Sequence, residues 1–149
     1  MRPIAYVRNE RKTVSDDNWG NVISTLELSP DLHDMNCFAG LKEFSHILII
    51  YHFHKIPEET AFPCRHPRGN STWPKVGIFS QRNKNRPNRI GASTVSILEV
   101  SCTHIKVKGL DAVDGTPVLD IKPSMLGFDA PASTITEPAW SEELMRNYW

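Results

Sequence analysis

The sequence predicts an all-β fold: a small, mostly antiparallel β-barrel with short helices and a C-terminal helical tail. Three observations predict it. The chain of 149 residues holds many short apolar or β-branched segments that alternate in character. Proline, glycine and asparagine punctuate them, with 11 Pro and 8 Gly in all. No glycine-rich fingerprint follows a strand and no βαβ rhythm appears, which excludes the doubly wound nucleotide-binding folds. Such a pattern closes most readily into a barrel or sandwich.

Pro3–Val7 opens the chain as a short strand. Arg8–Asn21 is polar and turn-rich and contains SDDNWG (Ser15–Gly20). Val22–Leu28 alternates, placing Val22, Ser24, Leu26 and Leu28 on one face. Asp31–Asn36 reads as loop, and Phe38–Phe44 as one or two helical turns. Ser45–His54 is the strongest strand; its apolar run on both parities suits a central, two-sided position. His46, His52 and His54 share one parity and would face one way in a regular strand. No carboxylate or cysteine partner accompanies them, so they read as structural or ligand-contacting histidines and no metal is expected.

Pro57–Pro74 carries four prolines and reads as loop. Lys75–Phe79 is a short strand, Gln81–Ile90 an Arg/Asn loop, and Ala92–Cys102 an alternating strand paired across Thr103 with His104–Val107. Asp111–Gly115 is a turn with the DG signature of a hairpin, and Gly115 is its left-handed residue. Thr116–Ile121 is a strand with Pro117 near its start, which suits a strand's first position or an edge. The barrel is expected to span residues 1–123. Residues 124–149 form the tail, with helix-start chemistry at Pro138 and acidic residues early. Trp140, Leu144 and Tyr148 lie at i, i+4 and i+8, an apolar face that docks on the chain's own core or on a second subunit.

A chain of this length is one domain and buries around 70% of its unfolded surface. No apolar run approaches a membrane span. Cys37, Cys64 and Cys102 are odd in number and lack metal spacing, so they read as reduced thiols. With no basic-plus-apolar leader at the start, a cytoplasmic location is expected.

Formal neutrality, 17 basic against 17 acidic residues, conceals a segregation of charge. Residues 61–98 contain seven Lys or Arg and no Asp or Glu, leaving 10 basic against 17 acidic elsewhere. Four of the seven lie in Arg82–Arg89 among Asn83, Asn85, Pro87 and Asn88. Arginine's planar fork matches phosphate or carboxylate oxygens in pairs. The loop therefore either faces an anionic partner or is paired with acidic neighbours in the fold.

This basic loop and its flanks carry a resemblance. HPRGN (His66–Asn70), SHILIIYHFH (Ser45–His54), RPNRIG (Arg86–Gly91) and GLDAVDGTPVLDIKP (Gly109–Pro123) together resemble the TrmO/YaeB family, the TsaA-like domain. The resemblance implies a small β-barrel, usually dimeric, that binds S-adenosylmethionine. Characterised bacterial members methylate N6 of threonylcarbamoyl-adenosine in the tRNA anticodon loop, so the resemblance implies tRNA as partner. Those members continue into a further C-terminal domain, and the ending LMRNYW resembles a shorter branch. Two positions depart from the family's pattern: Asn85, where it often has an aromatic, and Arg89, where it often has proline.

By that resemblance the cofactor shell is expected at Asp16, Asp17 and Asn18, at His54 and Lys55, at Arg82 and Arg86, and at Asp111, Ala112, Val113 and Asp114. Carboxylates suit ribose hydroxyls and an ammonium, and arginine suits a carboxylate. Arg68, Lys84 and Arg89 are expected to contact the nucleic acid. Trp19, Trp73 and Phe79 are candidates for base stacking, although core packing explains such residues as readily. N6 methylation needs a proton acceptor, for which Asp114, His54 and Tyr6 are candidates. A small-molecule acceptor or a non-catalytic binding module is the competing reading.

Overall fold

A computed structural model describes residues 1–58, 63–128 and 131–149. The expected loop Pro57–Pro74 and the tail thus fall partly outside the described residues. Among the described residues eight strands form: β1 (Ala5–Arg8), β2 (Ile23–Leu28), β3 (His46–His52), β4 (Cys64–Arg65), β5 (Val76–Gly77), β6 (Ile90–Val100), β7 (His104–Lys108) and β8 (Pro117–Pro123). Six close into an antiparallel barrel in the order β1-β2-β7-β6-β3-β8, with β8 returning to β1. β4 and β5 form a separate two-stranded ribbon. An α-helix, α1 (Ala139–Met145), lies in the tail.

Alternation builds the core as the sequence implies. Ser24, Leu26 and Leu28 of β2 face inward, and so do Ile47, Ile49 and Tyr51 of β3 and Ile105 and Val107 of β7. Ser24 is fully buried and its hydroxyl accepts a 2.8 Å bond from Asn9 Nδ2. On β3 the outward residues Leu48 and Ile50 are half-buried rather than covered, so the strand has one core face, not two.

Several expectations change. The DG turn does not join a hairpin: β7 lies between β2 and β6, while β8 lies between β1 and β3. Residues 109–116 therefore cross the mouth of the barrel. Gly115 does adopt the left-handed conformation, φ 78°. Pro117 is the first residue of β8, which a closed barrel permits because that position needs no ladder donor. Lys75–Phe79 is a strand only at Val76–Gly77, and Ile78–Ser80 is a 3₁₀ turn. Pro30–Met35 is likewise 3₁₀ rather than open loop. β3 stops at His52, where the chain turns and the His54 N–H bonds the His52 carbonyl at 2.8 Å. His46 stays on the outer wall against Ser45 and Ser96, so the three histidines do not form one row. α1 ends at Met145, and Tyr148 lies beyond it rather than on its face.

Candidate active site

The strand ends of β1, β3 and β7 and the starts of β2, β6 and β8 surround one mouth of the barrel. A cavity of about 790 Å³ opens there, within the range of about 300–1,000 Å³ common for small-molecule sites. Its walls come from sequence-distant segments: the 14–19 loop, the end of β3, the Arg/Asn loop, the 111–116 crossing and the tail.

Of the expected residues, Asp16, His54, Lys55, Arg68, Arg82, Lys84, Asp111, Ala112 and Val113 line this cavity. Asp17, Asn18, Arg86, Arg89 and Asp114 support it from behind. Asp17 takes two bonds from Arg68, 2.6 and 3.1 Å. Asn18 sits at φ 62° and its carbonyl accepts Arg11 Nη2 at 2.6 Å. Arg86 donates to the Gln81 carbonyl at 3.2 Å. Arg89 clamps the 53–58 turn through the Ile56 carbonyl and Glu58, both at 2.7 Å. Its φ of 50° is one that proline cannot adopt, so the departure at this position comes with its own backbone path.

The basic run is therefore substantially paired within the fold. Lys84 reaches Asp16 at 2.6 Å, Arg68 reaches Asp17 and Arg89 reaches Glu58. Arg82 donates to the Ala92 carbonyl. Acidic neighbours account for much of the charge segregation, yet Lys84 and Arg82 still stand on the cavity wall.

Two aspartates of DAVD have opposite roles. Asp111 turns inward, and its carboxylate accepts three hydroxyls: Tyr51 at 2.6 Å, Tyr148 at 2.5 Å, and Ser93. Burial first, and then the Asp111 charge, raise both phenols far above the ordinary tyrosine value, so both stay protonated as donors. Asp114 turns outward to Lys12 Nζ at 2.8 Å and the Asn9 N–H at 3.1 Å. The Lys12 hydrogen bond leads in holding its carboxyl below the usual value. Asn9 also donates Nδ2 to the Ala112 carbonyl at 2.8 Å, tying the end of β1 to the crossing segment.

His54 is the odd group. Its Nδ1 is buried and has no hydrogen-bond partner among the described residues. Burial, then Lys55 and His52, lower its pKa, so the imidazole is neutral at neutral pH. Tyr6 lies on the outer wall and Asp114 is engaged, so His54 alone of the three candidate proton acceptors lines the cavity.

The aromatic candidates separate as well. Trp19 is 2% exposed and forms a buried part of the cavity wall, with Arg11 4.9 Å from its ring. Trp73 anchors α1, with Nε1 bonded to Glu143 at 2.7 Å and its ring 6.5 Å from that of Trp140. Phe79 is 83% exposed on the cavity rim, the reverse of a core residue. Sequence reasoning missed Phe53, Gln81, Ser93 and Thr116 as lining residues, along with Met145, Tyr148 and Trp149 of the tail. The Trp140, Leu144, Tyr148 spacing was the available signal for the tail. Among the described residues no group of three or more His, Cys, Asp or Glu side chains gathers to hold a metal.

Residues 14–130 match the family model of the tRNA-methyltransferase O N-terminal domain. The chain belongs to this family. It is 39% identical over 135 residues to a Methanothermobacter thermautotrophicus protein called a probable S-adenosyl-L-methionine-binding protein, covering 87% of this chain and 93% of that one. It is 41% identical over 105 residues to the tRNA (adenine(37)-N6)-methyltransferase of Escherichia coli, covering 66% of this chain and 43% of that enzyme. The mouse protein of the same name is 41% identical over 93 residues, 62% of this chain and 21% of the mouse chain. The crystal structure of Pseudomonas aeruginosa TrmO superposes with a TM-score of 0.71 at 30% identity, over 90% of this chain and 59% of that one. The chain thus spans well under two thirds of the named methyltransferases and nearly all of the archaeal protein. The matched residues leave out β1 and the tail from residue 131 onward.

Proposed function

We propose that the chain is an S-adenosylmethionine-dependent methyltransferase acting on N6 of an adenosine in tRNA, with threonylcarbamoyl-adenosine of the anticodon loop as the acceptor. The observation that carries it is the convergence of the 14–19 loop, the Arg/Asn loop and the 111–116 crossing on one cavity at the barrel mouth. The lining fits the cofactor's parts. Phe53, Ile56, Ala112 and Val113 offer apolar surface to an adenine. Asp16 offers oxygens to ribose or ammonium, and Arg82 offers a cation to a carboxylate. The unpartnered His54 Nδ1 is a polar atom that the protein itself leaves unsatisfied.

When bound, S-adenosylmethionine supplies an electrophilic methyl group on a positive sulfur. The chain's part is to hold donor and acceptor in line, from which most of the rate derives. His54, neutral and inside the cavity, takes the N6 proton on its imidazole. Phe79 stacks on a base splayed at the rim, and Lys84 faces the phosphates. A homodimer and a cytoplasmic location belong to the same proposal. The exposed Leu126, Phe128 and Ile135 support the first, and three exposed free thiols support the second.

Labelled-methyl transfer to tRNA lacking the modification tests the reading; it predicts incorporation at one adenosine per tRNA. The internal pairing of Arg68, Lys84 and Arg89 favours the second reading, a binding module with a small acceptor. Tight cofactor binding without transfer to any tRNA would select it.

A further inference from the structure

We infer that Asn147–Trp149 form a wall of the cofactor cavity and that Tyr148 is a positioning residue for the methyl donor, held in place by Asp111. The inference rests on the cofactor reading of the cavity. It concerns a segment that lies beyond residues 14–130, which the family model matches.

The tail is fastened at several independent points. The Trp73–Glu143 bond and the Trp73–Trp140 contact dock α1 beside the ribbon of β4 and β5. Past α1, the Asn18 N–H donates to the Asn147 carbonyl at 3.0 Å and the Trp19 N–H to the Tyr148 carbonyl at 2.8 Å. The strap therefore lies backbone to backbone along the 14–19 loop. Gly20 allows this approach, since a Cβ there would come within 2.5 Å of the Trp149 carbonyl carbon. The Trp149 ring packs edge-on against Tyr148 with centroids 4.9 Å apart.

Tyr148 is then fixed by its own hydroxyl, which donates to Asp111 Oδ2 at 2.5 Å. The other Asp111 oxygen already serves Tyr51 and Ser93, so the carboxylate joins the strap directly to β3 and β6. With the strap in place the cavity still measures about 790 Å³, and Tyr148 and Trp149 are among its lining residues. The strap encloses the space without filling it, which makes it a wall and not a plug. Chemically, Tyr148 contributes an aromatic ring that attracts cations: the Arg68 guanidinium already lies over it, 5.9 Å from the centroid, and a sulfonium would be drawn to the same electron density. Its hydroxyl proton is committed to Asp111, so toward any other group its oxygen is an acceptor only.

The test uses the full chain, with hydrogen exchange read with and without S-adenosylmethionine and calorimetric titration of S-adenosylmethionine and S-adenosylhomocysteine. Binding should slow the amides of Asn18 and Trp19 together with residues 82–85 and 111–113. Tyr148→Ala should weaken S-adenosylmethionine binding roughly tenfold, and Tyr148→Phe, which keeps the ring, by less. The neutral-sulfur product should lose less affinity than the cationic donor, a difference that a merely structural tyrosine would not produce. Gly20→Ala, which displaces the strap without touching Asp111, should weaken both ligands. Protection at 82–85 and 111–113 with faster exchange at Asn18 and Trp19, or unchanged affinity in the Tyr148 and Gly20 variants, overturns the wall while leaving the cavity reading intact. No binding and no protection anywhere overturns both.

Discussion

The two ends of the barrel solve the same closure problem with different chemistry. At one end Leu28, Leu32, Phe38, Leu41, Phe44 and Ile121 gather around a shallow hollow of about 550 Å³ with a largely apolar lining. Short 3₁₀ turns, Pro30–Met35 and Leu41–Glu43, cap that end. At the other end the cavity is walled by carboxylates, guanidiniums, aromatic rings and the imidazole of His54, whose Nδ1 has no partner among the described residues. One end is closed by burial and should govern stability. The other is held open by hydrogen bonds to charged groups and should govern binding. Groups that would cost free energy as mere packing are collected where a ligand can use them.

The largest expected effect lies at the closed end. Phe38, 8% exposed, replaced by alanine should cost about 3–5 kcal/mol in urea unfolding. Cofactor affinity of the remaining folded protein should not change; a parallel loss would mean that the two ends are not separable. Asp111→Ala comes next, because it removes the acceptor that three hydroxyls share: Tyr51 and Ser93 keep each other at 3.1 Å, but the Tyr148 hydroxyl loses its carboxylate. A stranded buried donor costs about 1–3 kcal/mol, and here binding should fall along with stability. Parallel melts and titrations of this variant and Phe38→Ala sharpen the contrast.

Asp114 and His54 give the open end its pH dependence. The folded pKa of Asp114 lies below the unfolded value, so its contribution is present above the ordinary carboxylate range and is lost as pH falls through the folded value. Melting of Asp114→Asn against wild type should show a difference at pH 6 that shrinks toward pH 3. His54 has its folded pKa lowered, so the unfolded chain binds the extra proton first and stability rises with pH through the ordinary histidine range. Its ring resonances followed by NMR should titrate below those of a free histidine.

The smallest effects separate surface charge at the two ends. Arg2 pairs with Asp31 at the closed end, where both side chains are about half exposed or more. Arg2→Ala should change stability by less than about 1 kcal/mol and binding not at all. Lys84→Ala should be as mild in stability, yet should lower the log–log salt slope of tRNA binding by roughly 0.7–0.9.

The barrel was legible in the sequence because period-2 alternation is local. Ser24, Leu26 and Leu28, or Ile47, Ile49 and Tyr51, announce a buried face from their own spacing. Pairing partners are not local, which is why the DG turn read as a hairpin when it bridges two strands that do not pair. The SDDN loop, the Arg/Asn loop and DAVD could be named because their motifs resemble the family's; residue type alone left each of them a solvated loop or a turn as readily as a site. Which aspartate faces inward could not be named. Asp111 and Asp114 differ by three residues on a crossing segment with no periodicity, and Asn9, more than 100 positions away, fixes the outward one. Tyr148 was visible only as one tooth of a helical stripe, whereas its position depends on the helix ending early and on Gly20 accepting the strap.

Titration of S-adenosylmethionine into the full folded chain by calorimetry tests the central claim most directly. Saturable heat with one site per chain, much reduced in Asp111→Ala and intact in Phe38→Ala, is the predicted result. No heat, or heat that Asp111→Ala leaves untouched, would contradict the assignment of the open end as the cofactor site.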